Sequence, residues 1–245
     1  MADIFKLVWR LDYDVSCAYL DNRGTAFRIL TEEVDNYWSR HGFHREIRDS
    51  FFADTISPSE IRTIVAEPNA VSGTMEWYKG IELSKVLQTD EFRSLDRILK
   101  SFLKHCQVGK LNRAGIRFIV TAGPKEDTSQ RLQRNLQLFT DSARKFAAKH
   151  LGTIKDIGIA WEGELDPSLK YKFLFGPLEA KNIKNFLQYP TDDAAFSSLL
   201  KSQYFADVDL YEQNISFVEH SLYRWSRTKL EKAQDLLNDL VATLG

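Results

Sequence analysis

The chain has 245 residues, which is enough for one large domain or two small ones. Hydrophobic residues make up 43% of it and charged residues 27%, a globular composition that excludes an intrinsically disordered chain. No stretch approaches the roughly 20 apolar residues of a membrane span, and the N-terminus lacks a secretory apolar core. Two cysteines, Cys17 and Cys106, are too few for a disulfide framework. These features predict a soluble cytoplasmic protein that does not bind membranes.

Charge is distributed unevenly along the chain, although the formal net charge is only −1. The stretch 90–155 contains 14 Lys/Arg against 6 Asp/Glu, a net charge of +8, and the remainder contains 19 against 28, a net charge of −9. A concentration of basic residues favours partners that carry phosphate groups. The near-neutral total argues against a surface that is adapted to nucleic acid throughout.

The first part of the chain predicts alternating strands and helices. Residues 6–13 alternate apolar and polar side chains, the two-residue period of a half-buried strand. A helix follows, with apolar residues at helical spacing at Phe27, Leu30, Val34, Tyr37 and Trp38. Residues 43–59 have no clear period and predict a loop. Strands at 61–67 and 74–86 and a helix at 92–106 complete this part.

The second part predicts a similar order of elements. Its segments are a strand at 113–121, one long helix at 129–150, a hairpin of 156–165 with 169–175, a short helix at 182–188 and a strand at 204–212. A helix at 216–244 ends the chain. Ser216 and Glu219 form a capping-box pattern, which predicts that this helix begins at Ser216.

These elements predict an α+β fold with two strand–helix–strand–strand–helix pseudo-repeats. The first α+β half covers 1–107, and the second covers 111–245 with an appended strand and the long C-terminal helix. We expect a mostly antiparallel or mixed sheet that amphipathic helices cover on one side. Because the connection at 107–110 is short, we expect the halves to pack as one compact body.

No motif predicts a catalytic centre or a cofactor. The chain has neither a Gly-rich phosphate loop nor a Gly-Lys-Ser/Thr sequence. His41 and His44 have no further ligands at zinc spacing. Adjacent helical residues diverge by about 100°, so His105 does not point at the thiol of Cys106 as the base of a nucleophile would. These observations favour a protein without catalytic residues.

Two groups of acidic residues lie on predicted strands. Glu162 and Glu164 alternate along one strand, and Asp207 and Asp209 alternate along another, so each pair shares a face. Carboxylates on strands can hold Mg²⁺ in a metal-dependent nuclease or other hydrolase. Alternating acids are equally typical of the solvent face of an antiparallel sheet.

Basic residues form stripes on two predicted helices. Their spacing places several on one helical face, and the set is Arg93, Arg97, Lys100, Lys104, Arg131, Arg134, Arg144, Lys145 and Lys149. Such stripes can neutralise phosphates and produce salt-sensitive binding of nucleic acid. Basic faces of amphipathic helices are also commonly only solvated, so both interpretations stay open.

The C-terminal helix carries more apolar residues than one buried stripe requires. A partner site on this helix would use Leu222, Trp225, Leu236, Leu240 and Leu244. The alternative is that these side chains pack within the fold.

Two short segments carry a resemblance to a known family. Residues 112–119 (NRAGIRFI) and 205–209 (FADVD), the latter followed by a long C-terminal helix, are similar to a sporadically distributed family of uncharacterised bacterial proteins with a Gly-Leu-Arg-Tyr-Ile type of central strand. The resemblance implies an accessory protein of mobile or antiviral defence gene clusters, with no assigned catalytic residues.

The leading hypothesis is therefore a non-enzymatic module that recognises another protein. A nucleic-acid or phosphate-binding module that uses the basic 90–155 region is the first alternative, and a metal-dependent nuclease or hydrolase is the second. The sequence does not indicate the oligomeric state.

Overall fold

The computed structural model describes residues 2–47, 49–122, 128–176, 183–188, 204–216 and 222–244. Within these ranges the fold is α+β, as the sequence predicts. The strands are β1 (Asp3–Asp12), β2 (Arg40–Phe43), β3 (Phe51–Ile56), β4 (Glu60–Glu67), β5 (Ala70–Glu82), β6 (Lys110–Ala122), β7 (Ile159–Glu164), β8 (Leu169–Phe175) and β9 (Tyr204–Ser216). These nine strands form one sheet in the order β2-β3-β4-β5-β1-β6-β9-β8-β7, and every neighbouring pair is antiparallel.

Strands β1 and β6 join the two parts of the chain in the middle of this sheet. Leu7 pairs with Phe118 and Trp9 with Ile116, so apolar side chains of both strands face the same side. In the described ranges the second part has the four strands that the sequence predicts, β6 to β9. The first part has five strands where the sequence predicts three, because β2 and β3 lie where no strand is predicted. The predicted pseudo-repeat is therefore not confirmed. Both parts nevertheless contribute strands to a single sheet.

Six α-helices lie in the described part of the chain. They are α1 (Cys17–Asp21), α2 (Arg23–Glu32), α3 (Asp90–His105), α4 (Thr128–Gln137), α5 (Asp141–His150) and α6 (Leu222–Leu244); 3-10 helices span Leu83–Gln88 and Lys184–Phe186. Thr89 begins α3, since its hydroxyl accepts a hydrogen bond from the backbone N of Phe92 at 3.2 Å. The apolar stripe predicted for this helix is buried.

One hydrophobic core fills the space between the sheet and the helices. Residues of α2, α3 and α6 pack there against one set of alternating strand residues, which defines the helix-covered face of the sheet. The start of α6 is held by α3, because Asp96 accepts a hydrogen bond from the backbone N of Tyr223 at 2.7 Å. Burial raises the pKa of Asp96, and this hydrogen bond opposes the shift.

The other face of the sheet, here called the open face, carries charged side chains at its centre. Lys6 and Glu76 form an ion pair there at 3.4 Å, and Glu76 is only 1% exposed. The segment 183–188 lies on this face, where Ile183 packs on Phe5, Ile119 and Phe205. The backbone N of Gln188 is 2.9 Å from each carboxylate oxygen of Glu76.

The loop predicted at 43–59 is wrong. Strand β3 occupies Phe51–Ile56 and β2 ends at Phe43. The two-residue period is not evident in the sequence of β3, because Phe51 and Phe52 are adjacent aromatic residues and Asp54 is a buried acid. Asp54 is tolerated in β3 because Arg40 of β2 contacts it through Nη2 at 2.6 Å.

Three predicted helices also differ from the structure. The long helix at 129–150 is interrupted between α4 and α5, where the hydroxyl of Thr140 accepts from the backbone N of Ala143 at 3.3 Å and begins α5. Ser216 is the last residue of β9 and pairs with Lys110, so it does not begin the C-terminal helix, and Glu219 lies outside the described residues. Of the helix predicted at 182–188, the described residues show Ile183 in helical conformation, followed by the 3-10 turn Lys184–Phe186.

Among the helices of the described ranges, none is both long and apolar enough to cross a membrane.

Candidate protein-interaction surface

The β7–β8 hairpin forms one edge of the described sheet. The carboxylate of Asp166 fixes its turn, since Oδ1 accepts hydrogen bonds from the backbone N of Ser168 at 2.9 Å and of Leu169 at 2.8 Å. A hydrogen bond from the Ser168 hydroxyl to the same carboxylate, followed by these two backbone bonds, lowers the pKa of Asp166. The predicted turn at Asp166–Pro167 is thereby confirmed, and it leaves β7 as an outer strand.

The helix-covered side of this hairpin holds an apolar groove. Its walls come from the hairpin and from the C-terminal half of α6, and the lining residues are Trp161, Leu165, Tyr171, Phe173, Leu236 and Leu240. The rings of Trp161 and Phe173 lie 5.7 Å apart, with their planes tilted by 31°. Trp161 remains 40% exposed, so the groove presents a large aromatic surface to solvent beside the edge strand.

The open face of the same hairpin is charged. Lys172 of β8 contacts Glu162 of β7 at 3.0 Å, and Lys170 contacts Glu164 at 3.5 Å. Hydrogen bonding to Glu162 raises the pKa of Lys172. Backbone pairing then places Lys172 opposite Asp209 of β9, and Asp209 opposite Arg117 of β6. A row of alternating charge therefore crosses four strands and ends at Glu162 on the edge.

The four acids considered for a metal site each lie near a basic side chain on this face. Glu162 and Glu164 contact lysines, and Asp207 accepts two hydrogen bonds from Arg117, at 2.7 and 2.6 Å. Asp209 lies 4.0 Å from Arg113, and burial raises its pKa while the two arginines oppose the shift. Within the described ranges no group of three or more His, Cys, Asp or Glu residues is arranged to hold a metal ion.

The residues predicted for a partner site on the C-terminal helix divide into two sets. Leu222 and Trp225 are buried in the core, and Trp225 Nε1 donates to Glu212 at 2.9 Å. Leu236 and Leu240 are half-buried and line the apolar groove. The side chain of Leu244 lies outside the described part of the structure. Packing within the fold thus accounts for the start of the helix and leaves a candidate binding surface near its end.

The basic residues predicted for phosphate binding also divide into sets. Four are exposed on the outer side of α3, namely Arg93, Arg97, Lys100 and Lys104. On α4, Arg131 is 2% exposed and Arg134 is half-buried. Arg144, Lys145 and Lys149 are exposed on α5, and Arg144 forms an ion pair with Asp141 within the helix. The structure therefore places the exposed bases of this set on two separate helices, α3 and α5.

Sequence reasoning missed the hairpin wall of the groove, which consists of Trp161, Leu165, Tyr171 and Phe173. A signal was present, because Trp161 and Leu165 alternate with the acids Glu162 and Glu164. The acids lie on one face of the strand, and the apolar residues on the opposite face are the ones that contact α6.

Comparison with known proteins adds nothing to this geometry, because no family model, curated protein or solved structure matches the chain.

Proposed function

We propose that the chain is a non-enzymatic interaction module that binds an extended segment of another protein along β7. The observation that carries this proposal is the apolar groove, which lies directly beside the edge strand. An extended segment added to a sheet edge gains affinity from backbone hydrogen bonds, and specificity from side chains that enter neighbouring pockets. The β7 edge combines both elements.

The composition of β7 supports this role. Edge strands are commonly protected from pairing by proline, by charged side chains, especially lysine, or by extreme shortness. Strand β7 (IAWEGE) contains neither proline nor lysine and is six residues long, whereas the opposite edge strand β2 has four residues. The two charged residues of β7, Glu162 and Glu164, lie on one face and are paired with lysines of β8.

The pairing of the acids also favours binding over hydrolysis. A metal-dependent hydrolase needs carboxylate oxygens that converge on an ion. Here Glu162, Glu164 and Asp207 are each engaged by a lysine or an arginine on a neighbouring strand. Their arrangement is that of a cross-strand charge ladder, which stabilises a sheet.

A selection from random displayed peptides tests the proposal. We expect the wild-type chain to enrich extended binders, and labelled protein to show amide shifts in residues 159–164 when such a peptide is added. Trp161→Glu should abolish both signals, because a charge at the groove opposes apolar contact. Phe146→Glu is the matched control, since Phe146 is an aromatic residue that is 59% exposed on α5, outside the groove. Selected peptides that bind the Trp161→Glu variant as tightly as the wild-type chain would contradict the proposal.

A nucleic-acid-binding module is the second candidate function. The observation that favours it is the exposed stripe Arg93, Arg97, Lys100 and Lys104 along α3. Arg93 is partly engaged by Asp90 at 3.6 Å, which leaves the other three bases as the main phosphate contacts to test.

The charge-reversal variant Arg97→Glu/Lys100→Glu/Lys104→Glu separates the two functions. If α3 binds nucleic acid, fluorescence anisotropy with DNA and RNA oligonucleotides should show a loss of affinity and a salt slope that is flatter by about 0.9 for each phosphate contact removed. The control variant Arg144→Glu/Lys145→Glu/Lys149→Glu changes the charge of α5 equally. Absence of binding to either nucleic acid at low salt rules out this candidate.

A further inference from the structure

The charge pattern at the β7 edge indicates which kind of segment it binds. We propose that the segment carries two basic residues, Lys or Arg, at alternate positions opposite Glu162 and Glu164, with an apolar residue between them. The inference rests on the proposed function and specifies its partner. The open face of β7 indicates the two basic residues, and its helix-covered face indicates the apolar residue between them.

The first row of charge on the open face is incomplete at its outer end. Read inward from the edge, the directly paired positions are Glu162, Lys172, Asp209 and Arg117. The sign of the charge changes at each strand. Opposite charges that face each other across strands stabilise pairing, and like charges destabilise it. A tenth strand therefore continues the row best with a positive side chain opposite Glu162.

The second row has the same ending. Glu164 pairs directly with Lys170, and Lys170 pairs with Tyr211. The side chains of Glu162 and Glu164 are 61% and 60% exposed, so each still has room for a second basic neighbour from outside. Since the two acids are two positions apart on one strand, the basic residues of the bound segment must also be two positions apart.

The residue between these two positions points to the helix-covered face, opposite Gly163. A Cβ on Gly163 would lie only 3.1 Å from Cε1 of Tyr171, so the glycine lets the tyrosine ring lie close to the β7 backbone. Trp161 and Leu165 flank Gly163 on the same face, and both line the apolar groove. A side chain opposite Gly163 thus enters apolar surroundings, which favours Val, Ile or Leu.

A second copy of this chain fits the edge less well. When two β7 strands pair about a twofold axis through Glu162, the two copies of Glu162 face each other. When the axis passes through Gly163, Glu162 of one copy faces Glu164 of the other. Both registers place carboxylates opposite carboxylates, which is unfavourable. When the axis passes through Trp161, Glu162 of one copy faces Ala160 of the other and gains no basic partner. Because none of these three registers supplies a basic side chain to the acids, charge complementarity favours a foreign basic segment.

Two blocked nonapeptides test the proposal with the full chain. One has Lys-Val-Lys flanked by three threonines on each side, and the other has Glu-Val-Glu in the same setting. We expect the lysine peptide to shift the amide resonances of residues 159–164 and to bind about three- to tenfold more tightly than the glutamate peptide. Glu162→Lys/Glu164→Lys should reverse that order, and Glu162→Gln/Glu164→Gln, which keeps the side-chain size, should remove it.

The outcomes separate this inference from the proposed function. Equal affinity for the two peptides, with amide shifts in β7, overturns the basic pattern and leaves binding at the edge intact. Shifts confined to other parts of the protein, or no shifts with either peptide, also overturn it, and the display selection with Trp161→Glu then decides separately whether β7 binds any segment. Sedimentation that shows a dimer lost in Trp161→Glu assigns the edge to a second copy and overturns the proposal as well.

Discussion

Arg117 of β6 binds its diagonal neighbour Asp207 and not the residue directly opposite, Asp209. Its Nε and Nη2 atoms donate hydrogen bonds to the two oxygens of Asp207 at 2.7 and 2.6 Å, although the strand register pairs Arg117 with Asp209. Asp209 is left with Arg113 at 4.0 Å, and burial raises its pKa. The centre of the open face thus contains one well-paired carboxylate and one weakly paired carboxylate.

Removing Arg117 should destabilise the fold. Arg117→Ala leaves the carboxylate of Asp207, whose side chain is 10% exposed, without its bidentate partner. Because Arg117 itself is 42% exposed, solvent reduces the effect, and we expect a loss of about 1–2 kcal/mol in the free energy of unfolding. Urea denaturation measures it, and the double variant with Asp207→Ala should recover part of the loss.

Arg144→Ala is the control for this prediction. Arg144 pairs with Asp141 one helical turn away, and the Asp141 side chain is 77% exposed. An exposed pair of this kind contributes little, so we expect a change within about 0.5 kcal/mol. Equal effects of Arg117→Ala and Arg144→Ala would show that the bidentate contact is not specially stabilising.

Neighbouring leucines of α6 should separate stability from binding. Leu237 is 1% exposed in the core, and Leu237→Ala should cost about 2–4 kcal/mol of unfolding free energy. Leu236 is half-buried in the wall of the groove, so Leu236→Ala should cost less than about 1.5 kcal/mol while weakening peptide binding at β7. Denaturation and peptide titration of both variants check this prediction. A larger loss of stability in Leu236→Ala than in Leu237→Ala would contradict the assignment of Leu237 to the core.

How much of the fold the sequence predicts depends on how local each signal is. Strands β1, β4 and β6 and helix α3 follow from their own apolar periods. Strand β3 does not, because the charged residue Asp54 occupies a buried position and breaks the apolar period. Its burial depends on the ion pair with Arg40 of β2, which the local sequence of β3 does not reveal. Ser216 resembles a helix cap in sequence, and only its pairing with Lys110 reveals a strand end.

The candidate site was less predictable than the fold. The large number of apolar residues in the last helix predicts a surface that includes Leu236 and Leu240. That number alone does not distinguish these two leucines from the buried Leu222 and Trp225. Trp161 and Phe173 join them only because α6 crosses the sheet and ends over the β7–β8 hairpin. The alternation of Trp161 and Leu165 with the acids indicates an apolar face on β7, but it does not indicate that α6 is the element this face contacts.

Two glycines should respond in opposite directions to alanine. A Cβ on Gly73 would lie 2.5 Å from Cζ2 of the buried Trp9 and 2.6 Å from the carbonyl oxygen of Thr63. Gly73→Ala should therefore destabilise the sheet by about 2–3 kcal/mol. Nothing lies within 4 Å of a Cβ on Gly24 in α2, so Gly24→Ala should stabilise the protein by about 0.5–1 kcal/mol. Thermal or urea denaturation compares them, and similar effects at both sites would contradict the close packing at Gly73.

Three buried tyrosines and one thiol should make the protein sensitive to alkali. The hydroxyls of Tyr13, Tyr19 and Tyr37 donate to backbone carbonyl oxygens, and burial raises the pKa of each above its ordinary value of 10.0. Burial likewise raises the pKa of Cys106 from 9.0 to about 12. The unfolded chain loses these protons at lower pH than the folded chain does.

Their contribution to stability is therefore fully present below pH 9.0, the ordinary pKa of the thiol, and is lost as pH rises towards the raised folded-state pKa values. Each proton released only on unfolding should lower the unfolding free energy by about 1.4 kcal/mol per pH unit. Urea denaturation from pH 8 to 11, with tyrosinate absorbance recorded in parallel, tests this. Tyr19→Phe should reduce the slope. Ionisation of all tyrosines near pH 10 in a protein that stays folded would show that these hydroxyls are not held protonated by burial.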